Sequence, residues 1–141
     1  MPYAHITGLG MSVPEPVLTN DDIAKIVYTN DALIRQRTGI RERRIARASD
    51  FPSTLGTKAA LRALSVANLK PTDVDLIICA TSTPEQIFPA TACMIQDQLG
   101  ATKAGAFDLL AACTGFIFGM NMAAQSIRSG AIKNALVIGA E

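Results

Sequence analysis

Two strand-length apolar runs do most to limit the folds open to this chain. Residues 74–80 read VDLIICA and residues 134–139 read NALVIG, and neither shows a regular alternation of apolar and polar side chains. A strand of this kind has both faces covered, which is typical of parallel sheets packed between helices. Because segments with a helical pattern separate the two runs, the sequence predicts an α/β fold with a mostly parallel sheet.

Cap and turn residues divide the rest of the chain into predicted elements. The polar run TNDD at 19–22 begins a helix that extends to about residue 28, and a second short helix follows Asn30 and ends at Gly39. Longer helices are predicted from residue 52, over 91–99 and over 114–129. Further strands are predicted over 3–9 and 104–109, with a short, exposed and charged one over 40–45.

The predicted helix over 114–129 is apolar nearly all round, which is typical of a helix buried on all sides. Gly115, Gly119 and Ala123 recur every four residues along it, so we expect this stripe to let another helix approach closely. Charged residues make up only 18% of the chain, which indicates that much of its surface is covered. We therefore interpret the 141 residues as half of a larger architecture.

Composition and charge exclude several classes of protein. The net charge of +1 gives no reason to expect a nucleic acid or an anionic membrane as partner. No apolar run is long enough to span a bilayer and no leader is recognisable, so a soluble cytoplasmic protein is expected. Cys79, Cys93 and Cys113 form no CxxC pair, so neither disulfides nor a metal site is expected. The single histidine, His5, is predicted to be buried in the first strand.

Cys113 has two interpretations. Most free cysteines are small, inert core residues. However, Cys113 falls where a predicted strand gives way to a helix, so its thiol would face unpaired backbone N–H groups and the positive end of the helix dipole. Both stabilise a thiolate, and the same N–H groups can bind the oxyanion of a thioester under attack. Cys79 lies within a strand and Cys93 within a helix, and neither has this position.

Two other motifs suggest phosphate binding. ITGLGMSV at 6–13 has a glycine pair after a predicted strand, but it lacks the third glycine and the helix start of a dinucleotide-binding fingerprint. Five arginines fall within residues 35–44. They form either a solvated charged face or a site where guanidinium groups bind phosphates.

Five segments resemble the β-ketoacyl-acyl-carrier-protein synthase III family, within the thiolase superfamily. They are TNDDIAKIV, RTGIRERR, FPATACMIQDQLG, FDLLAACTGF and SGAIKNALVIGAE, and together they extend along nearly the whole chain. The resemblance implies an α-β-α-β-α layered fold of two similar halves, each with a five-stranded mixed sheet. Residues 1–141 would be the N-terminal thiolase-like domain, with the C-terminal half absent.

The resemblance also implies a chemistry. Cys113 matches the nucleophile that accepts an acyl group from acyl-coenzyme A (acyl-CoA). Malonyl-acyl-carrier protein would then lose carbon dioxide and attack the thioester, in a reaction of fatty-acid biosynthesis that uses no cofactor and no metal. The histidine and asparagine that drive decarboxylation in the family belong to the second half, so residues 1–141 alone are expected to be inactive in condensation.

Further residues match substrate-binding positions of the family. Arg37 matches a residue near the coenzyme A nucleotide, and Thr29 lies in the same region. Leu33 stands where the family commonly has a tryptophan that stacks on adenine. Phe88 matches a residue that bounds the acyl pocket of the partner subunit, which implies a homodimer. Two alternatives stay open: a specialised acyltransferase that makes an ester, amide or long-chain ketone, and a non-catalytic half-subunit that needs a partner chain.

Overall fold

The computed structural model describes residues 3–141, which divide into two compact units. Val13–Asp50 form the smaller unit, and the described residues up to Ser12 join Phe51–Glu141 in the larger one.

The smaller unit contains two short strands and two helices. Its elements are β1 (Val17–Thr19), α1 (Asn20–Ala24), α2 (Asp31–Thr38) and β2 (Glu42–Arg44). β1 and β2 pair antiparallel, with Leu18 opposite Arg43. The predicted strand over 40–45 is thus confirmed, whereas its partner β1 was not predicted.

The caps predicted in the smaller unit are confirmed. The Thr19 side chain accepts a hydrogen bond from the Asp22 backbone, and the Asn30 side chain accepts one from the Leu33 backbone. α2 ends at Gly39, whose φ of +73° is a left-handed conformation that favours glycine. α1 ends at Ala24, earlier than the predicted residue 28, and the chain continues in a turn.

The larger unit is built on a parallel sheet with helices against it. Its elements are α3 (Pro52–Ala67), β3 (Leu76–Ala80), α4 (Thr91–Leu99), β4 (Gly105–Leu109), α5 (Gly115–Arg128) and β5 (Ala135–Gly139). The strand order is β4-β3-β5, and both neighbours of β3 run parallel to it. Both apolar runs that predicted a parallel sheet therefore lie in it, and the α/β fold class is confirmed.

The core of the larger unit lies where β3 packs between helices. Ile77, Ile78 and Cys79 are fully buried on β3, and Ile95 of α4 is equally buried. Ala60 and Leu64 from α3 pack into the same cluster. A central strand covered on both faces explains why its sequence shows no polar alternation.

The glycine stripe of α5 faces the sheet, so the prediction that it receives another helix is wrong. A Cβ atom on Gly119 would lie 3.0 Å from Val137 Cγ1 and 3.4 Å from Ile78 Cγ2. A Cβ on Gly115 would lie 3.2 Å from the Cβ of Ala80. The small residues therefore let the helix backbone approach β3 and β5 closely.

The opposite face of α5 is exposed within the described residues, so burial of this helix on all sides in a larger architecture stays a prediction. Ile117 is 68% exposed and Phe118 53% exposed, and Phe116 and Met122 are each more than 40% exposed. Within residues 3–141 nothing covers these side chains. A helix that packs one face on a sheet leaves its other face free unless a further layer covers it.

Residues 3–9 form no strand, contrary to the prediction. The segment is in no ladder within the described chain, and His5 is exposed rather than buried. It lies instead along α3, where Gly8 packs against the Ala63 carbonyl oxygen and Gly10 against that of Ala59, too closely for a Cβ atom on either glycine. The glycine pair of ITGLGMSV thus serves backbone packing against a helix.

A cavity of about 650 Å³ separates residues 4–10 from β5 and α5. Because residues 4–10 form no ladder with β5, the parallel sheet of the larger unit has three strands within the described residues, rather than the five implied by the resemblance. The outer edge of β5 is unpaired.

No helix within residues 3–141 has both the length and the apolar character needed to cross a bilayer.

Asp75 ties together the amino-terminal ends of the strands. Its Oδ2 accepts hydrogen bonds from the backbone N–H groups of Lys133 and Asn134, at 2.8 and 3.0 Å. Lys103 Nζ lies 3.1 Å from its Oδ1. The two backbone donors, with a smaller contribution from Lys103, lower the pKa of Asp75 to about 2.

We predict that Asp75→Asn lowers the free energy of unfolding by about 1–2 kcal/mol at pH 7, because a charged acceptor of two backbone donors is lost. The folded-state pKa lies below the unfolded value, so this stabilisation is complete above about pH 4 and disappears as the pH falls towards 2. Urea unfolding of both forms at several pH values measures the difference. A difference that does not shrink below pH 4 would contradict this role of the Asp75 charge.

Candidate functional site

Cys113 lies in the turn between β4 and α5. β4 ends at Leu109, a single 3₁₀ turn spans Ala112–Thr114, and α5 begins at Gly115. The Thr114 hydroxyl donates to the Ala111 carbonyl oxygen at 2.8 Å, which closes this turn. Cys113 is exposed, at the amino-terminal end of a 14-residue helix. The predicted position of the thiol at a helix start is therefore confirmed.

Ala112 has a backbone conformation that is rare for alanine. Its φ of +47° lies in the left-handed region, which costs roughly 1–3 kcal/mol for a residue other than glycine. This conformation turns the chain sharply from the strand into the helix and leaves the Cys113 side chain exposed. Gly115 allows the following helix to begin against Ala80, at the end of β3.

The other two cysteines have environments that do not suit a nucleophile. Cys79 is fully buried at the centre of the sheet. Burial raises its pKa to about 12, with further contributions from the nearby carboxylates of Asp108, Glu141 and Glu85. Cys93 is half-buried on α4, where its Sγ donates to the Ala106 carbonyl oxygen at 3.6 Å. Cys113 is thus the one exposed thiol of the described chain.

Three carboxylates near the carboxyl ends of the strands were not singled out from the sequence. Both Asp108 oxygens accept backbone hydrogen bonds from the start of α4, and Glu141 accepts two hydrogen bonds from Ser82 and Thr83. Glu85 accepts one from the Ser53 backbone at the start of α3. The signal for Asp108 was present, because an acidic residue within an apolar strand needs a partner.

Phe88 belongs to the loop between β3 and α4 and is 88% exposed. Because β3 and β4 are parallel neighbours, this loop and the Cys113 turn leave the sheet at the same edge. The larger unit therefore carries an exposed thiol and an exposed aromatic ring beyond the carboxyl ends of its parallel strands.

Thr29, Leu33 and Arg37 lie together in the smaller unit. Leu33 and Arg37 are one turn apart on α2, hence on the same helix face, and both are exposed. Thr29 is half-buried and directly precedes Asn30, the cap of α2. Leu33 and Arg37 thus share one exposed face of α2, and Thr29 lies just before the cap of that helix.

Buried Asn20 fixes the start of α2 within the smaller unit. Its side chain donates to Asp31 Oδ1 at 2.7 Å and to the Ile40 carbonyl oxygen at 2.9 Å, and it accepts from Arg43. The hydrogen bond from Asn20 lowers the pKa of Asp31, and Arg35 adds to this effect. The α2 helix thus has a defined position relative to β2.

The arginine cluster separates into paired and unpaired members. Two of its members form ion pairs, Arg35 with Asp31 and Arg44 with Glu42, and Arg47, just beyond the cluster, pairs with Glu15. Within residues 3–141, no carboxylate oxygen lies within 4.0 Å of Arg37 or Arg41. These two guanidinium groups have their donors available for a phosphate, whereas the others stabilise the unit itself.

No group of three or more His, Cys, Asp or Glu side chains in the described chain is placed to hold a metal ion.

Comparison with known proteins gives the class of this fold and site. A family model described as 3-oxoacyl-[acyl-carrier-protein] synthase III matches residues 107–141, which include the Cys113 turn. The crystal structure of 3-oxoacyl-[acyl-carrier-protein] synthase III from Aquifex aeolicus VF5 matches 95% of this chain with a TM-score of 0.91 and 51% identity. This chain covers 43% of that one. The fold is thus that of the thiolase-like condensing enzymes.

Curated relatives have the same name. The β-ketoacyl-[acyl-carrier-protein] synthase III of Roseiflexus sp. (strain RS-1) is 53% identical over 136 residues, which are 96% of this chain and 41% of that protein. The protein of that name from Clostridium acetobutylicum is 51% identical over all 141 residues, which are 43% of its length. The chain belongs to the β-ketoacyl-acyl-carrier-protein synthase III family and corresponds to its N-terminal part, about two fifths of the length of these relatives.

We predict that iodoacetamide modifies Cys113 first, Cys93 more slowly and Cys79 negligibly, because alkylation requires an accessible thiolate. At pH 8, a thiol with a pKa of about 12 is ionised in only about one molecule in ten thousand. Peptide mapping by mass spectrometry over a time course gives the order.

The same reaction in guanidinium chloride should label all three cysteines at similar rates, since unfolding removes the burial of Cys79. Native labelling of Cys79 before Cys113 would show that the described burial is wrong.

Proposed function

We propose that the protein containing this chain is a condensing acyltransferase of fatty-acid biosynthesis and that Cys113 is its nucleophile. The observation that carries the proposal is the strained turn at Ala112, which leaves one exposed thiol at the start of a long helix. Cys79, the alternative on the neighbouring strand, is buried with a raised pKa. Membership of the family supports the same assignment.

The proposed reaction has two steps. The Cys113 sulfur attacks the thioester carbonyl of acyl-CoA, the coenzyme A thiol leaves with a proton, and the acyl group stays on the sulfur. Malonyl-acyl-carrier protein then loses carbon dioxide, and the resulting carbanion attacks the acyl carbon. The carbon–carbon bond replaces the carbon–sulfur bond, and Cys113 regains its proton. Decarboxylation supplies the carbanion, so the reaction calls for no cofactor.

The exposed face of α2 is the proposed contact for coenzyme A. Arg37 has no carboxylate partner within the described chain and can bind a phosphate through its fork of donors. Leu33, one turn away, gives apolar contact to the adenine but no aromatic face. Thr29 completes this proposed surface.

We propose that residues 1–141 are the N-terminal domain and that the remaining part of the protein completes the fold and the site. The exposed apolar face of α5 and the unpaired edge of β5 are surfaces that a second half can cover. In the proposed mechanism a histidine and an asparagine of that half assist decarboxylation. Residues 1–141 alone are therefore inactive in condensation.

The proposed assembly is a homodimer that works in the cytoplasm. Ile87 and Phe88 expose more than four fifths of their area in a loop flanked by Pro84 and Pro89, and such a patch is typical of an interface. All three cysteines are free thiols, which fits a reducing compartment.

We predict that the full protein, incubated with acyl-CoA, has the acyl group on Cys113, because this thiol is exposed at a helix start. Intact-mass and peptide mass spectrometry identify the modified residue. Addition of malonyl-acyl-carrier protein should then remove the acyl group and release carbon dioxide.

Two controls accompany this experiment. Cys113→Ala should abolish both acylation and condensation, and residues 1–141 alone should release no carbon dioxide above that variant. Acyl label on Cys79 or Cys93, with Cys113 free, would refute the assignment of the nucleophile. If the acyl group is transferred only to an alcohol or an amine, the protein is the specialised acyltransferase and not a condensing enzyme.

We predict that Leu33→Trp tightens coenzyme A binding towards the lower end of the roughly 1–3 kcal/mol measured for base stacking on aromatic side chains. The gain is limited because Leu33 already offers apolar contact. Isothermal titration calorimetry on the full protein compares the two forms, and Arg37→Ala should weaken binding in both. Equal or weaker binding by the tryptophan variant would argue against adenine at this face.

We predict that Phe88→Asp weakens the dimer by at least about tenfold, since it places a charge in an apolar contact. Light scattering over a concentration series measures the dissociation constant. Lys58→Asp, on the exposed side of α3, is a charge-changing control. Equal effects of both variants would mean that Phe88 is not at the interface.

A further inference from the structure

Asn20, the first residue of α1, is the only buried residue of the smaller unit, all of which lies in the part of the chain that the structure describes. It is 1% exposed. A buried amide has to be hydrogen-bonded, because unpaired donors and acceptors away from water cost free energy. Since no apolar side chain of this unit is equally buried, the contacts of Asn20 are central to its internal geometry.

The Asn20 side chain joins both ends of α2. Its Nδ2 donates to Asp31 Oδ1 at 2.7 Å, at the first residue of the helix. It also donates to the Ile40 carbonyl oxygen at 2.9 Å, just beyond the Gly39 that ends the helix. Its Oδ1 accepts from Arg43 of β2. One side chain therefore connects the start of α2, the chain beyond its end and the neighbouring strand.

These contacts also determine which face of α2 points outwards. Asp31 and Arg35, one turn apart, form an ion pair on the side that Asn20 holds, with Arg35 Nε 2.8 Å from Asp31 Oδ1. Two residues further along a helix the side chain is turned by about 200°, so Leu33 and Arg37 lie on nearly the opposite side. Both are exposed, as this geometry requires. A helix held by Asp31 therefore directs Leu33 and Arg37 away from the unit.

The same contacts commit the Asp31 charge. The hydrogen bonds from Asn20 and Arg35 both end on Oδ1, and they lower the pKa of this carboxyl. Arg41 is close enough to add to this effect, yet within the described chain it forms no ion pair with Asp31. The carboxylate is thus bound to Asn20 and Arg35, and the Arg41 guanidinium keeps its donors for another anion.

We infer that Asn20 is a positioning residue for the coenzyme A nucleotide, because it holds α2 so that Leu33 and Arg37 face the ligand. This inference rests on the proposed function, since it takes the exposed face of α2 to be the coenzyme A contact. Asn20 is buried and acts only through the helix. Its effect is therefore expected with acyl donors that carry the nucleotide and not with donors that lack it.

The test compares two acyl donors on the full protein, acyl-CoA and acyl-pantetheine, which carries the same acyl group but no nucleotide. Asn20→Ala removes all three contacts of the amide. Asp31→Ala breaks the contact with the helix start from the other side, and keeps the test valid if Asn20→Ala does not fold.

Two control variants accompany them. Asp31→Asn retains an oxygen that accepts from Asn20 and Arg35, so α2 keeps its orientation. Asp21→Ala removes an exposed acid next to Asn20 that makes no side-chain hydrogen bond or ion pair in the described chain. It matches the loss of charge in Asp31→Ala without touching α2.

Asn20→Ala and Asp31→Ala should each lower kcat/KM for acyl-CoA about tenfold, through KM, and change kcat/KM for acyl-pantetheine by less than about twofold. Both control variants should keep the wild-type ratio between the two donors. With Arg37→Ala already present, Asn20→Ala should lower kcat/KM for acyl-CoA by no more than about twofold, because both changes act on one contact.

Equal losses with both donors would show that Asn20 only stabilises the fold. Fully additive effects of Asn20→Ala and Arg37→Ala would show that Asn20 does not act through this face of α2, and unchanged kinetics would show that it has no effect on binding. Each of these results overturns the inference alone.

Two results for the wild-type protein would reach further. Equal use of acyl-pantetheine and acyl-CoA would overturn the proposed coenzyme A surface, and this inference with it. A full protein that transfers no acyl group from either donor would overturn the proposed function itself.

Discussion

The close contact between α5 and the sheet is the constraint on which the larger unit depends. Gly119 brings the helix backbone so near β3 and β5 that even a Cβ atom would meet Val137 at 3.0 Å. A helix in this position must begin just beyond the carboxyl ends of the strands. The turn that precedes it, with its left-handed Ala112, follows directly from that start. The Cys113 thiol is exposed in this turn.

Environment, rather than residue type, separates the three cysteines. Cys79 and Cys113 both lie near the carboxyl ends of the same sheet, but Cys79 is on the central strand, where burial and three carboxylates raise its pKa to about 12. Those carboxylates are committed to other partners: each accepts hydrogen bonds that hold a loop or a helix start. Burial keeps Cys79 protonated, and the charges that organise this end of the sheet contribute further.

The described residues leave two surfaces of the larger unit uncovered. The outer face of α5 and the outer edge of β5 belong to elements that pack against β3 on their other sides. Their sequence suits burial on both sides, and the chain spans about two fifths of its relatives' length. A second layer packed against α5 would cover this apolar surface, which is what the low proportion of charged residues in the chain leads us to expect.

Local sequence determined the element types and most of their ends. The apolar run of 74–80 specified a buried strand, and Gly39 and Gly100 ended helices where a left-handed residue was needed, because these preferences act within a few residues. The position of Cys113 at a strand-to-helix turn followed from the same local signals.

Tertiary structure decided what the elements pack against. The stripe on α5 could have suited either a helix or a sheet, since both require only small side chains, and residues 3–9 could have formed a strand had a partner edge been in reach. Asp108 shows the same division. An acidic residue in an apolar strand indicates that it has a hydrogen-bond partner. Only the parallel pairing of β3 with β4 brings Asp108 to its partner at the start of α4, 17 residues away in sequence.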